Sequence, residues 1–103
     1  MKLGQRQELF AECFAMLIAY MYFKGYKVRI GDVWAKTGHK KNSLHYIKCA
    51  GDVNLFKDGR YLTATKAHAE FGAYWESLHP FCRWGGRYND GNHYEVLNKV
   101  VGE

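Results

Sequence analysis

Two histidines and one aspartate are the residues of this sequence best suited to bind a metal ion. His45 and Asp52 lie seven positions apart, and His93 follows near the end of the chain. A zinc ion that does chemistry usually takes three protein ligands, often histidine and carboxylate side chains, and keeps its fourth position for water. His45, Asp52 and His93 therefore form a candidate zinc site.

A further acidic residue, Asp90, lies three positions before His93 in a turn that contains Gly91. At this spacing its carboxylate could reach a metal-bound water without binding the metal itself, which is the place of a general base. Zinc lowers the pKa of bound water to about 7 and polarises carbonyl groups. The four residues together would suit hydrolysis of a peptide or amide bond.

Each of these residues also has an ordinary structural interpretation. His45 and His93 could be hydrogen-bonded strand histidines, and Asp52 could cap a turn. Asp90 stands in an Asn-Asp-Gly-Asn sequence, which is typical of a turn. Because the chain has five histidines and ten acidic residues in 103 positions, some suggestive spacing is expected by chance. The spacing alone leaves both interpretations open.

Hydrophobic periodicity predicts the elements that carry the first half of this set. Apolar residues at helical spacing predict a helix over residues 5–24, and alternation predicts a strand over residues 26–30. Residues 32–43 are polar and predict a loop. Residues 52–56 predict a second strand, and Asp58-Gly59 after it predicts a β-hairpin turn.

His45 and Asp52 are seven positions apart, so the chain must change direction between them if both side chains are to bind one metal ion. On one continuous strand, residues seven apart point to opposite faces, because side chains alternate with a period of two. We therefore expect the chain to bend at Ala50-Gly51, where glycine makes the bend easy.

The second half predicts another helix and a last strand. Thr65 is a plausible N-cap for a helix over residues 66–78. Residues 82–86 and 89–92 have turn-like compositions, and residues 93–96 predict a short strand. We expect an α+β domain with two helices packed on a small, mainly antiparallel sheet of about four strands and the metal in a groove on the sheet.

Composition limits the possible partners. The 103 residues suit one domain, and 48% hydrophobic with 17% aromatic residues predict a packed core. A formal net charge of +5 favours anionic partners such as nucleic acid, anionic lipid or an acidic cell-wall polymer. Because no run of five basic residues occurs, nucleic-acid binding is not indicated. We expect a single domain over residues 1–103, acting as a monomer.

Three cysteines are present, at positions 13, 49 and 82, without a Cys-x-x-Cys pair. This arrangement fits neither a disulfide framework nor a four-thiolate zinc site, so we expect reduced and mostly buried thiols. The longest apolar run, residues 13–23, is about half of the roughly 20 residues that span a bilayer. A buried helix is the expected structure, and no membrane span is predicted.

The first residues resemble a secretory signal only in part. Lys2 and Arg6 precede the apolar run, but Glu8 and Glu12 interrupt the pattern and no convincing cleavage site follows. We therefore expect synthesis in the cytoplasm without an export signal of its own.

Longer motifs surround the candidate metal ligands. They are Ser43-x-His45, Asp52, the strand Val53–Phe56 with Lys57-Asp58-Gly59, Trp75-Glu76-Ser77-Leu78, Cys82-Arg83-Trp84-Gly85-Gly86-Arg87 and Asp90-Gly91-Asn92-His93. Over most of residues 3–96 these motifs resemble phage endolysins of the family of zinc D-Ala-D-Ala carboxypeptidases and L-alanyl-D-glutamate endopeptidases. That family has the Hedgehog/DD-peptidase fold.

The resemblance implies a role for each of the matched residues. His45, Asp52 and His93 would bind Zn²⁺, and Asp90 would be the catalytic base that cuts a peptide bond in the peptidoglycan stem peptide. Ser43 would help to shape the substrate site, and its alternative interpretation is an ordinary loop residue. The expected setting is phage-mediated lysis, with the enzyme made in the host cytoplasm and acting on the periplasmic cell wall after release.

Other aromatic residues in the motifs have simpler interpretations. His68 falls at a position that resembles a site-shaping residue of the family, but we favour helix packing. Trp34, Trp75 and Trp84 are each expected in the core, where tryptophan is commonly buried.

One departure from the family pattern concerns an arginine. The resemblance implies an arginine in a longer segment before Ser43-x-His45, suited to hold a carboxylate or an oxyanion, but only residues 32–42 occupy that gap. Lys36, Arg29 or Arg87 could supply positive charge instead, although none aligns. The alternative is therefore a zinc-binding domain of the same fold that binds the cell wall without cleaving it.

Overall fold

Two α-helices cover one face of a five-stranded antiparallel sheet in the computed structural model, which describes residues 1–103. The helices are α1 (Leu3–Phe23) and α2 (Ala69–Leu78), and the strands are β1 (Lys27–Ile30), β2 (Ala50–Lys57), β3 (Arg60–Leu62), β4 (Cys82–Trp84) and β5 (His93–Val96). Three short 3₁₀ turns lie between them: Leu44–Ile47, Thr65–His68 and Gly85–Tyr88. The prediction of an α+β domain with two helices and a mainly antiparallel sheet is confirmed.

Strand β2 is the centre of the sheet, which has the order β1-β2-β5-β4 with β3 also paired to β2. Leu55 pairs with Val28 of β1 on one edge and with Leu62 of β3 on the other. The first residues of β2 pair with β5, so that Asp52 stands directly opposite His93. Two of the predicted metal ligands are thus brought together by sheet register.

The predicted hairpin connects β2 and β3. Lys57 pairs with Arg60, and both residues of the connection, Asp58 and Gly59, have positive φ angles of 52° and 77°. Two positive φ angles define the two-residue turn that matches the natural twist of a hairpin. This local prediction is confirmed.

The hydrophobic core lies between the helices and the sheet. It consists of twelve buried residues: Phe10, Cys13, Phe14, Leu17, Met21, Val53, Leu55, Phe71, Trp75, Cys82, Tyr94 and Val96. Because side chains alternate along a strand, the neighbours of these core positions point to the opposite face. Asp52, Arg83, His93 and Glu95 therefore occupy the face that the helices leave open.

Strand β4 corrects the prediction of a turn over residues 82–86. Cys82, Arg83 and Trp84 pair with β5, and only residues 85–88 form a 3₁₀ turn. The strand is three residues long and its partner is distant in sequence, so its pairing rather than its local pattern creates it. The sheet consequently has five strands rather than about four.

Thr65 corrects the predicted N-cap of the second helix. It begins a 3₁₀ turn, and α2 starts later, at Ala69. The hydroxyl of Thr65 instead accepts a hydrogen bond of 3.2 Å from the backbone N–H of Gly91. Thr65 thus anchors the turn that contains Asp90.

The expected bend at Ala50-Gly51 is also wrong, because both residues lie within β2. The chain changes direction earlier, in the 3₁₀ turn that ends at Lys48, whose φ of 61° is left-handed. Gly51 has a different role, since a Cβ atom there would lie 2.7 and 2.8 Å from ring carbons of Phe14. Glycine at this position lets α1 lie close against the sheet.

The tryptophans divide between the core and the surface. Trp75 is fully buried and Trp84 packs against the core, as predicted. Trp34 is 51% exposed, which corrects the expectation of burial. It lies in the loop after β1, where the ammonium groups of Lys36 and Lys48 lie 5.5 and 5.2 Å from its ring centroid. Cation–π contact at the surface takes the place of core packing.

All three cysteines are buried and free, which confirms their prediction as reduced, buried thiols. Burial raises the pKa of the Cys49 thiol, and the thiol donates a hydrogen bond to the carbonyl of Ile47. Cys49 is therefore a packed side chain. None of the helices combines the length and the hydropathy required to cross a membrane.

Candidate metal centre

His45 is positioned by the 3₁₀ turn Leu44–Ile47. The hydroxyl of Ser43, which precedes the turn, accepts a hydrogen bond of 3.2 Å from the backbone N–H of His45. Lys48 ends the turn in a left-handed conformation and lets Cys49 lead into β2. The His45 side chain is buried against the open face of the sheet, with 1% of the residue exposed.

Asp52 and His93 face each other across β2 and β5. Oδ1 of Asp52 lies 3.1 Å from Nδ1 of His93 and 3.3 Å from Nε2 of His45. One ligand atom from each of the three residues can be chosen so that all lie within 4.8 Å of one another. The structure therefore brings the three predicted ligands together in one group that could hold a metal ion.

Two of the separations between candidate ligand atoms fit a small divalent ion. Two ligands about 2.1 Å from a tetrahedral metal lie roughly 3.4 Å apart, close to the two contacts of Asp52 Oδ1. The Nδ1 atom of His45 is buried and has no hydrogen-bond partner. Buried polar atoms are rarely left without partners, and an ordered water is one partner that would satisfy this nitrogen while Nε2 faces Asp52.

Glu95 forms a hydrogen bond with the candidate ligand His93. Its Oε1 atom lies 2.7 Å from Nε2 of His93, and its Oε2 accepts a hydrogen bond of 2.5 Å from Nε of Arg83. Metal-binding histidines usually donate their second ring N–H to a carboxylate, which fixes the ring orientation. With Nδ1 of His93 directed at Asp52 and Nε2 at Glu95, the ring has this arrangement.

The charges of these residues depend on one another. Burial alone would lower the pKa of His93, but its hydrogen bonds to Asp52 and Glu95 outweigh burial and raise the pKa to about 9. Burial lowers the pKa of His45, partly offset by Asp52. Burial would raise the pKa of Glu95, but hydrogen bonds from His93 and Arg83 hold it below its usual value. Glu95 is therefore a carboxylate at neutral pH.

All five predicted site residues line the same pocket of about 450 Å³. Besides His45, Asp52 and His93 these are Ser43 and Asp90. Asp90 is exposed in the turn before β5, and its backbone carbonyl accepts a hydrogen bond of 3.1 Å from the N–H of His93. Asp90 therefore lines the same pocket as the candidate metal ligands.

Sequence reasoning missed Glu95 and Arg83. Glu95 had a detectable signal, because it lies two positions after His93 on a predicted strand, so both side chains must share one face. Arg83 had none, since its segment was predicted as a turn and its alignment with Glu95 follows from the pairing of β4 with β5.

His39 was also missed, although it lines the pocket. Its ring stacks on that of His45, with centroids 4.2 Å apart, and its Nε2 lies 2.9 Å from Oδ2 of Asp32. The loop after β1 therefore covers one side of the candidate ligand His45.

The three cations considered as replacements for the missing arginine lie outside the pocket. Arg29 lies over the ring of Phe56, and Lys36 over the ring of Trp34. Arg87 forms two hydrogen bonds with Glu76.

His68 is a packed residue, as favoured from the sequence. It is 1% exposed, and its Nδ1 lies 2.8 Å from the hydroxyl of Tyr94. Burial lowers its pKa to about 4. The neutral ring is thus held between α2 and the sheet.

We expect His68 to make the fold acid-sensitive. Its folded pKa of about 4 lies below the value of about 6.5 in an unfolded chain, so the unfolded state binds more protons between these values. The stability that neutral His68 contributes is therefore complete above pH 6.5 and is lost as pH falls towards 4. Between pH 7 and pH 5 this loss is about 2 kcal/mol.

His68→Gln removes this titration and keeps an amide that can bond to Tyr94. Urea unfolding followed by tryptophan fluorescence at the two pH values should show a smaller loss of unfolding free energy in the variant. An equal loss in both proteins would show that His68 is not responsible.

His45, Asp52 and His93 could hold a metal ion that also binds a water molecule. Three protein ligands would leave a position open on such an ion, and Asp90 lines the same pocket. Neither a protein-family model nor a curated protein sequence matches this chain.

Proposed function

We propose that the protein is a zinc-dependent peptidase that hydrolyses a peptide bond in peptidoglycan stem peptides. The single observation that carries this proposal is the presence of His45, Asp52, His93 and Asp90 around one pocket. The same residues form the motifs that resemble endolysins of the L-alanyl-D-glutamate endopeptidase and D-Ala-D-Ala carboxypeptidase family. The Hedgehog/DD-peptidase fold is part of the proposal.

Zinc is the metal that this set of ligands suits best. Two imidazoles and one carboxylate are a frequent ligand set of catalytic zinc sites, which keep one position for water or substrate. When bound, zinc would supply a water of lowered pKa and polarise the carbonyl of the scissile bond.

The residues of the chain have separate tasks in this reaction. Asp90 accepts a proton from the attacking water and delivers it to the nitrogen of the leaving amine. Glu95 holds the ring of His93 in place through its hydrogen bond to Nε2. Ser43 fixes the turn that carries His45, and it lines the pocket in which the substrate would bind.

The net charge of +5 suits an anionic cell wall. The proposed setting is phage-mediated host lysis, in which the protein is made in the host cytoplasm and reaches the periplasmic wall after release. The proposal includes that the protein acts as a monomer.

A second candidate is a zinc-binding domain that binds the wall without cleaving it. The observation that favours it is the short loop after β1, since residues 32–43 contain no arginine. Such a domain would retain the metal and lack hydrolysis.

Digestion of purified peptidoglycan separates the two candidates. We expect the zinc-loaded protein to generate new peptide ends, identified by mass spectrometry, that do not form when a chelator removes the metal. The positions of these ends identify the peptide bond that is cleaved. One zinc per chain without new ends would instead support the wall-binding domain.

A further inference from the structure

Arg83 is the one arginine that lines the pocket of the candidate metal centre. It lies on β4 directly opposite Glu95 of β5, on the open face of the sheet. The function proposed above gives it no task. Its position raises the question of what its guanidinium group binds.

The guanidinium group is held in a fixed orientation. Nε of Arg83 donates a hydrogen bond of 2.5 Å to Oε2 of Glu95, which is 4% exposed. The guanidinium carbon also lies 5.4 Å from the ring centroid of Tyr88. Because Glu95 and Tyr88 already hold the guanidinium group, it loses little further conformational freedom when it binds a ligand.

The rest of the group is free. Glu95 is its only salt-bridge partner, through Nε, and neither Nη atom hydrogen-bonds within the protein. The side chain is 37% exposed. Two parallel N–H groups therefore remain for a planar, bidentate acceptor, and a carboxylate has that geometry.

Arg87 shows the contrasting arrangement. Its Nε and Nη2 donate hydrogen bonds of 2.6 and 2.8 Å to the two carboxylate oxygens of Glu76. This arginine already holds a carboxylate in the fork geometry, and it lies outside the pocket. The open fork of Arg83 is thus a specific feature of the pocket.

The charge of the pocket favours an anionic ligand once a metal is bound. Three carboxylates line it, from Asp52, Asp90 and Glu95, and three basic side chains balance them: Lys40, Lys41 and Arg83. A bound divalent ion would make the net charge of these groups and the ion positive. An anionic group of a ligand would then be attracted to the pocket.

We propose that Arg83 binds a carboxylate of the peptide substrate and makes the protein selective for acidic peptides. Glu95 links Arg83 to His93, with contacts of 2.5 and 2.7 Å, so the bound carboxylate lies close to the metal centre. This inference rests on the proposed function, since it places a substrate beside that centre. It assigns the substrate-binding cation to β4 rather than to the loop after β1.

The test compares the binding of two matched peptides. One is an L-alanyl-D-glutamyl peptide with blocked ends and an uncleavable isostere of the bond between the two residues, whose only free carboxylate is that of the glutamyl residue. The other has a carboxamide at that position. Calorimetry with zinc-loaded protein should show about 10- to 100-fold tighter binding of the carboxylate peptide, the usual effect of a charge-assisted hydrogen bond.

Arg83→Lys should reduce this affinity ratio by about tenfold, because an ammonium group keeps the charge beside Glu95 but lacks the fork. The matched control, Arg87→Lys, should keep the ratio of the unmodified protein. A ratio of two ligands on one sample does not depend on the fraction of folded protein. An unchanged ratio in Arg83→Lys, or no preference in the unmodified protein, would overturn the inference.

The peptidoglycan digest distinguishes the failure of this inference from the failure of the proposed function. Cleavage without a carboxylate preference would remove the role of Arg83 and leave the peptidase. A carboxylate preference that depends on Arg83, without cleavage, would support the inference and identify a binding domain.

Discussion

Replacing Asp90 by asparagine is expected to lower the rate of peptide hydrolysis by about 10²- to 10⁴-fold while the metal stays bound. Asparagine has nearly the same shape as aspartate but cannot accept the proton of the attacking water. Asp90 lines the pocket and is not one of the three residues grouped as metal ligands. Rates on a stem peptide and the zinc content of the same samples should be measured together.

Asp58→Asn is a matched control for this substitution. Asp58 and Asp90 are both exposed aspartates that precede a glycine in a turn, and only Asp90 lines the pocket. Asp58 has a φ of 52°, a conformation that asparagine also tolerates. Its variant should retain full activity. An Asp90→Asn protein with full activity would exclude Asp90 as the general base.

Replacing Asp52 by alanine is expected to weaken zinc binding by more than about 100-fold, beyond the usual effect of removing an outer partner of a metal ligand. Oδ1 of Asp52 is the atom that lies close to a nitrogen of both His45 and His93. The substitution therefore removes one ligand and the negative charge between the other two. Competition with a chromophoric chelator measures the affinity.

His39→Gln is the control for the metal centre. His39 lines the same pocket and stacks on His45, but it is outside the group of candidate ligands. The His39→Gln variant should retain one zinc per chain, and its zinc affinity should fall by no more than about tenfold. Equal losses of zinc affinity in Asp52→Ala and His39→Gln would show that packing around His45, rather than the carboxylate of Asp52, governs metal affinity.

Local sequence patterns determined the larger elements of this fold. Helical spacing of apolar residues predicted α1 within two residues at its start and one at its end. The hairpin at Asp58-Gly59 followed from turn chemistry that needs positive φ angles. These predictions succeeded because the periodicity and the turn residues act over a few neighbouring positions.

The site was predictable in part. The residue types and spacings of His45, Asp52, His93 and Asp90 pointed to one centre, and these residues line one pocket. The bend of the chain between His45 and Asp52 was predicted at Ala50-Gly51, which is wrong. A left-handed Lys48 turns the chain, whereas Gly51 makes room for Phe14.

The sequence by itself determined the two helices, the hairpin and the residue types of the candidate metal centre, because each depends on near neighbours. Only the tertiary structure decided that residues 82–84 form a strand, since their hydrogen-bond partners lie in β5. That pairing places Arg83 opposite Glu95, whose other carboxylate oxygen contacts His93. No local pattern contains this information, because register between distant segments is set by the packing of the whole sheet on its helices.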